Sequence, residues 1–162
     1  MRFTVRDYRS EDFDTLWLID QSCFAPGISY TRYELRTYML RPGAFTLVAQ
    51  AEDPRSGAGP FILGFVVAES SRRRTGHVIT IDVRAAARRL QVGSALLTAA
   101  EGRLRAEKCS SVHLETAVDN VSAQSFYKRH GYEVTGKIRN YYSNGVDALV
   151  LEKELISVKT AS

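Results

Sequence analysis

Apolar and polar positions along the chain switch between two periods, and each switch marks an element. Phe3-Thr4-Val5-Arg6 alternates like a short half-buried strand. Ser10 then offers an N-cap, with Glu11 and Asp12 placed where a helix dipole favours anions. Phe13, Leu16, Trp17 and Asp20 follow on one helical face. Residues 23–30 form a loop rich in turn formers that nonetheless carries Phe24, Ile28 and Tyr30. Thr31-Arg32-Tyr33-Glu34 reads as a capping box opening a second helix, which Arg41-Pro42-Gly43 closes.

Period two returns at 45–49, 61–69 and 76–83, predicting a three-strand antiparallel meander with a turn-rich loop at 53–60 and an arginine-rich connection at 70–75. Val92, Leu96, Leu97, Ala100 and Leu104 then recur at helical spacing, which predicts a helix running to about Lys108. Residues 112–118 alternate again. Asn120 leads into Ala123, Phe126, Tyr127 and His130, a helix for which Gly131 suits the left-handed C′ position. Segments 132–138 and 148–155 form a closing pair of strands around a loop at 141–145. The resulting order, βααβββαβαββ, describes an α/β chain with no repeat and no linker, expected as one domain over 1–157 with a frayed tail at 158–162.

Composition narrows this picture. A chain of 162 residues, 44% hydrophobic and 25% charged, has enough apolar content for one core and excludes disorder as its main character. Lys+Arg 22 against Asp+Glu 18 leaves +4, which favours an anionic partner without naming one. Cys23 and Cys109 lie far apart, against a disulfide framework or a CxxC zinc site, and fit a reducing compartment. The amino-terminal residues contain no apolar signal segment, and the longest near-apolar run, 61–68, is far short of a membrane span. A cytoplasmic protein without a membrane partner is expected.

Candidate chemistry concentrates between the third meander strand and the long helix. Arg88, Arg89, Leu90, Gln91, Val92, Gly93 and Ser94 place two cations and several helix-start N–H groups where an anion such as a diphosphate can bind. Neither GxGxxG nor GxxxxGK[ST] is present, so a Rossmann dehydrogenase and a P-loop ATPase are not supported.

The run from Ile79 to Leu97 resembles the acetyl-CoA-binding motif of the GCN5-related N-acetyltransferase (GNAT) superfamily, in which [QR]-x-x-G-x-[GA] opens the helix after the fourth strand. Arg88-Arg89-Leu90-Gln91-Val92-Gly93 stands in that place, with Gln91 where the first glycine usually lies. An ordinary helical φ at Gln91 would keep the N–H groups of that loop available. Asn120-Val121-Ser122-Ala123-Gln124-Ser125-Phe126-Tyr127-Lys128-Arg129-His130-Gly131-Tyr132 resembles the N-x-x-A-x-x-[LF]-Y-x-x-x-G-[FY] motif. Leu114-Glu115, Tyr127, and Arg139-Asn140-Tyr141-Tyr142 with Asp147-Ala148 are most similar to ribosomal-protein-alanine and related protein N-terminal acetyltransferases.

The resemblance implies a single-domain mixed, mostly antiparallel central sheet flanked by about four helices, with acetyl-CoA as co-substrate and no metal. It implies Glu115 as general base, directly or through water, and Tyr127 as the acid that protonates the departing thiolate. The backbone of Ile81, Asp82 and Val83 would face the pantetheine, with the Val83 N–H as oxyanion donor, and Asn120 would hold the pantetheine or diphosphate arm. Asp82 is a rival base, because lysine acetyltransferases of the superfamily carry a carboxylate on this strand. Read as residues alone, Glu115 is equally a strand-end carboxylate paired with an arginine, Tyr127 a core tyrosine and Asn120 a helix cap. Phe24, Ile28 and Tyr30, facing Tyr141 and Tyr142, would wall a slot for an extended peptide end.

The expected activity is acetyl transfer to a protein N-terminal amine by direct attack in a ternary complex, a ribosomal protein being one candidate acceptor. No direct nucleic-acid function is expected. Two rivals stand beside it: acetylation of a small-molecule amine or lysine, and a non-catalytic CoA-binding or RNA-associated module.

Overall fold

A computed structural model describes residues 2–52 and 61–156. The loop expected at 53–60 and the tail at 158–162 lie outside the described residues. In chain order the elements are β1 (Phe3–Asp7), α1 (Phe13–Cys23), α2 (Arg32–Met39), β2 (Ala44–Ala51), β3 (Phe61–Ser70), β4 (Thr75–Val83), α3 (Val92–Ala106), β5 (Ser111–Ala117), α4 (Val121–Arg129), β6 (Glu133–Ile138) and β7 (Ala148–Glu154). This is the βααβββαβαββ order expected from the pattern.

The strands form one seven-stranded sheet in the spatial order β1-β2-β3-β4-β5-β7-β6. Every pairing is antiparallel except β4 with β5, which run parallel. The parallel pairing follows from chain length: α3 supplies the crossover that brings the chain back to the same end of the sheet. Helix α3 covers one face with Val92, Leu96, Leu97, Ala100 and Leu104, all fully buried. Helices α1 and α2 cover the other, burying Phe13, Leu16, Ile19 and Leu35. β3 therefore lies between two layers and reads as a nearly continuous apolar run: Leu63, Val66 and Ala68 join the α3 core, Ile62, Phe65 and Val67 the α1/α2 core. Truncating Leu96 or Leu97 to alanine at such a site costs about 2–5 kcal/mol.

Helix boundaries moved where a tertiary partner outweighed a local signal. Ser10 does not cap α1; Ser10–Asp12 form a 3₁₀ turn and the α-helix begins at Phe13. Asp12 is drawn inward because Arg6 binds it through two N–H groups at 2.8 and 3.0 Å, and it also accepts the Arg9 N–H at 2.8 Å. The Thr31/Glu34 box forms as expected, with both reciprocal bonds present. Helix α3 ends at Ala106, just before the expected limit, because Lys108 adopts a left-handed φ of 69° that turns Cys109 into the core.

Candidate active site

The site begins with an irregularity in β4. Its register against β3 slips between Val67 and Ala68, and Ile79 drops out of the pairing. Before the slip, Val78 packs into the α3 core and Gly76 meets Leu104; after it, Ile81 and Val83 pack against that same core. The bulge thus swaps the parity of the strand, so that His77 at one end and Thr80 and Asp82 at the other all face α1 and α2.

Beyond this point β4 and β5 part. Their ladder covers only Thr75–His77 against Ser111–His113, while β4 continues to Val83 and β5 to Ala117. The Arg84 N–H donates to Leu63 O, so ladder alternation assigns Asp82 to β3 and turns the N–H groups of Ile81 and Val83 into the opening. The expectation that Asp82 also presents its backbone there is corrected by this alternation. Its side chain is no freer. The carboxyl is 1% exposed, accepts the Thr80 hydroxyl and faces Asp20 of α1. Burial, followed by the contact with Asp20, holds it well above the usual carboxylate range.

Past the opening lies the basic loop. Ala85–Ala87 form a 3₁₀ turn, Arg88, Arg89 and Leu90 are exposed, and α3 starts at Val92. Ala95 is the first α3 residue to donate within the helix, to Gln91 O at 3.0 Å, so the N–H groups of Val92, Gly93 and Ser94 face outward unpaired by the helix. Gln91 does not take an ordinary helical φ. Its φ is +64° and ψ 17°, the left-handed conformation that glycine adopts at no steric cost, and this explains physically why the superfamily motif carries glycine here. Gly93 packs closely on α4, since a Cβ there would lie 3.3 Å from the Phe126 ring, which would have to give by a few tenths of an ångström. The Ser94 hydroxyl bonds His130 Nε2 at 2.9 Å, while His130 Nδ1 bonds Phe126 O at 2.8 Å, which ties the start of α3 to α4.

At the other end of the opening sits Glu115. Its Oε2 lies 2.7 Å from His77 Nε2, and its Oε1 lies 3.9 Å from His113 Nε2. The imidazoles of His77 and His113 stack with centroids 4.3 Å apart. Behind His77, Glu69 approaches Nδ1 at 3.7 Å and is itself held by Arg41 at 3.2 Å. Glu115 thus pairs with histidine, not with the arginine that a strand-end reading allows.

Tyr30, Tyr38, His77, Ile79, Glu115, Tyr141 and Tyr142 line one cleft. Tyr30 is fixed from α1: Asp20 accepts its N–H at 2.7 Å, and its carbonyl accepts from Gln21 at 2.6 Å and Trp17 at 3.1 Å. The opposing loop is fastened to the α1–α2 loop by the Ser143 hydroxyl and N–H, which both donate to Gly27 O. Burial, followed by the charge of Glu115, pushes the Tyr141 phenol up to about 12; burial also raises Tyr142. Of the residues expected in the facing loops, Tyr30, Tyr141 and Tyr142 line this cleft, whereas Phe24 and Ile28 are half-buried and do not.

Tyr127 is 8% exposed in the α3 core, edge-on to Phe126 and Tyr132, and burial raises its phenol so that it stays protonated. Asn120 caps α4, its Oδ1 accepting the Ala123 N–H at 3.2 Å. Sequence reasoning missed His77, Tyr38 and Ile79. The signal for His77 was present in principle, since His113 and Glu115 share a strand face, but its use required the β4–β5 register.

Opening, loop and carboxylate together suit transfer of an acyl group from an extended, phosphate-bearing donor to an amine, the work of an N-acyltransferase. Residues 10–132 match the Acetyltransferase (GNAT) family, and the chain belongs to that family. It is 30% identical over 156 residues to an uncharacterized N-acetyltransferase of Methanocaldococcus jannaschii, covering 96% of this chain and 94% of that one. An N-alpha-acetyltransferase of Sulfurisphaera tokodaii is 35% identical over 83 residues, about half of each chain (51% and 50%). The crystal structure of Ard1 from Thermoplasma volcanium superposes with a TM-score of 0.81 at 25% identity, over 96% of this chain and 99% of that one. The protein is accordingly an acetyl-CoA-dependent N-acetyltransferase. Among the described residues, no helix is long and apolar enough to cross a membrane.

Proposed function

We propose that the enzyme acetylates the N-terminal α-amine of a protein, with a ribosomal protein among the candidate acceptors. The observation that carries this reading is Glu115, hydrogen-bonded to His77 at 2.7 Å at the foot of a cleft walled by Tyr30, Tyr38, Tyr141 and Tyr142. An extended chain end fits between such walls, and its amine meets a carboxylate at the edge of the strand opening. An α-amine has an ordinary pKa of about 7.7–8.0, so near neutral pH most of it is protonated, but its deprotonation is uphill by only about one pH unit, a modest task for Glu115.

In this mechanism the pantetheine arm lies in the β4–β5 opening and bonds the backbone of Ile81 and Val83. The diphosphate rests on the N–H groups of Val92, Gly93 and Ser94 beside Arg88 and Arg89, and Asn120 steadies the arm. Glu115, directly or through one water, takes the amine proton. The amine lone pair attacks the thioester carbon, and the Val83 N–H bonds the oxyanion as it forms. Collapse breaks the C–S bond, the thiolate takes its proton from Tyr127, and the proton that the nitrogen sheds as the amide forms passes through solvent and restores the Tyr127 phenol.

Initial rates on peptides with varied first residues, including an alanine-first ribosomal-protein peptide, against amino acids, polyamines and lysine side chains test the acceptor. Turnover confined to small amines or to lysine refutes it. Glu115→Gln and Tyr127→Phe should each lower kcat by roughly 10²–10⁴-fold; full activity in either variant removes that residue from the mechanism.

A further inference from the structure

We propose that His77, His113 and Glu115 bind a late first-row divalent cation of the zinc class, and that the bound cation silences the enzyme reversibly. One ligand atom from each residue lies within 4.8 Å of the others, so the three donors already converge. The backbone enforces this convergence. His77 and His113 are register partners on the last paired rung of β4 and β5, and Glu115 follows His113 on the same strand face.

The donor set is what zinc chemistry asks for: two imidazole nitrogens and one carboxylate oxygen, with a fourth position left to water. Bond lengths of about 2.0–2.2 Å bring tetrahedral ligands to roughly 3.3 Å from one another. His77 Nε2 lies 2.7 Å from Glu115 Oε2 and His113 Nε2 lies 3.9 Å from Glu115 Oε1, distances to the two oxygens of one carboxylate that fall on either side of that value. Because two stacked rings cannot both hold one cation in their planes, one ring must turn about χ2. His113 is able to, since its side chain is 36% exposed. Glu69 supplies the outer support. Its Oε1 lies 3.7 Å from His77 Nδ1, so a shift of under about 1 Å makes the carboxylate–histidine hydrogen bond that holds Nε2 of a metal-bound histidine toward its cation.

A cation there occupies the oxygens of Glu115 and stands in the floor of the cleft that Glu115 and His77 line. The inhibitory half of the proposal rests on Glu115 being the base, whereas the binding half does not. Zinc inhibition should therefore compete with the acceptor peptide and not with acetyl-CoA.

The test uses the metal-free full-length protein and zinc chloride, with magnesium chloride as the control cation. Competition against a chromophoric chelator should give one zinc per chain and no response to magnesium. His113→Ala and, independently, Glu69→Gln should each weaken zinc binding about tenfold or more. In His113→Ala, the zinc concentration that halves that variant's own turnover should rise by the same factor. Absence of one-to-one binding, or binding that neither substitution changes, overturns the site. Zinc held in a His113-dependent manner with full turnover overturns the inhibitory role, while the reading of Glu115 as base stands or falls separately on the turnover of Glu115→Gln without zinc.

Discussion

Replacing Asp82 with asparagine probes a buried carboxyl pair to which the proposed mechanism gives no step. Asp82 is 1% exposed and Asp20 0%, and Asp20 Oδ1 and Asp82 Oδ2 are each buried without a hydrogen-bond partner unless a proton lies between them. Burial, then the contact with Asp20, holds the Asp82 carboxyl well above its ordinary range, and burial also raises Asp20. The folded chain therefore keeps a proton that the unfolded chain releases near an ordinary pKa of about 3.9. A group raised on folding contributes its full stability below the unfolded pKa and loses it as pH climbs toward the folded one. One retained proton costs about 1.4 kcal/mol for each pH unit across that window. Asparagine mimics the protonated partner: its amide can donate to Asp20 and its carbonyl can accept the Thr80 hydroxyl that Asp82 now accepts. It has no proton to lose. The stability of Asp82→Asn relative to the parent should thus grow by about 1.4 kcal/mol per pH unit from about pH 4 upward, levelling once the parent pair ionises. In Tm this is roughly 3–5 °C per pH unit for a chain of this size. Urea unfolding of both proteins from pH 4.5 to 7.5 measures it, and groups that titrate alike in both cancel in the difference. A difference that is flat or shrinking with pH refutes the shared proton.

Three further outcomes follow from the geometry. Gln91→Gly relieves a left-handed residue and should raise stability by about 1 kcal/mol without weakening CoA binding; thermal melts and CoA titration check both. Tyr132→Phe removes the phenol that donates to Glu101 at 2.7 Å and leaves that carboxylate on Lys153 alone, so urea unfolding should show a loss of about 1–3 kcal/mol. Burial alone would raise Asp12, but the Arg6 and Arg9 contacts lower it overall, so its contribution is present above the unfolded carboxylate pKa and lost as pH falls through the folded one. Asp12→Asn should accordingly destabilise the protein at pH 7 and converge with the parent under acid, as paired denaturation curves will show.

Most of the fold was legible because its signals are local. The patterning located all seven strands to within two residues, the stripe from Val92 to Leu104 located α3, and the Thr31/Glu34 box located the start of α2. The first helix was less legible, since Ser10 is a good cap in isolation and lost to the Arg6–Asp12 pair, whose members come from different elements. In the candidate site, Glu115 and Tyr127 were named from motif position, whereas His77, Tyr38 and Ile79 were not. Each of those three enters the cleft by way of a strand pairing or a helix docking, and neither is written in the spacing of neighbouring residues.

The sequence by itself determined the class of elements, their order, the basic strand-to-helix loop and the likeness to acetyltransferases, because all of these depend on contacts within about a turn or on residue types at fixed separations. Only the tertiary structure decided that Gln91 is left-handed, that the Ile79 bulge reverses the faces of β4, that Asp82 faces Asp20 while Glu115 faces His77, and that Phe24 and Ile28 stay out of the cleft. For Gln91 and for the loop that carries Phe24 and Ile28 the deciding contacts come from segments distant in the chain, and for the strands the reason is register. Where two strands part, a one-residue change of register moves a side chain to the opposite face, and that register is set by packing between distant segments of the chain.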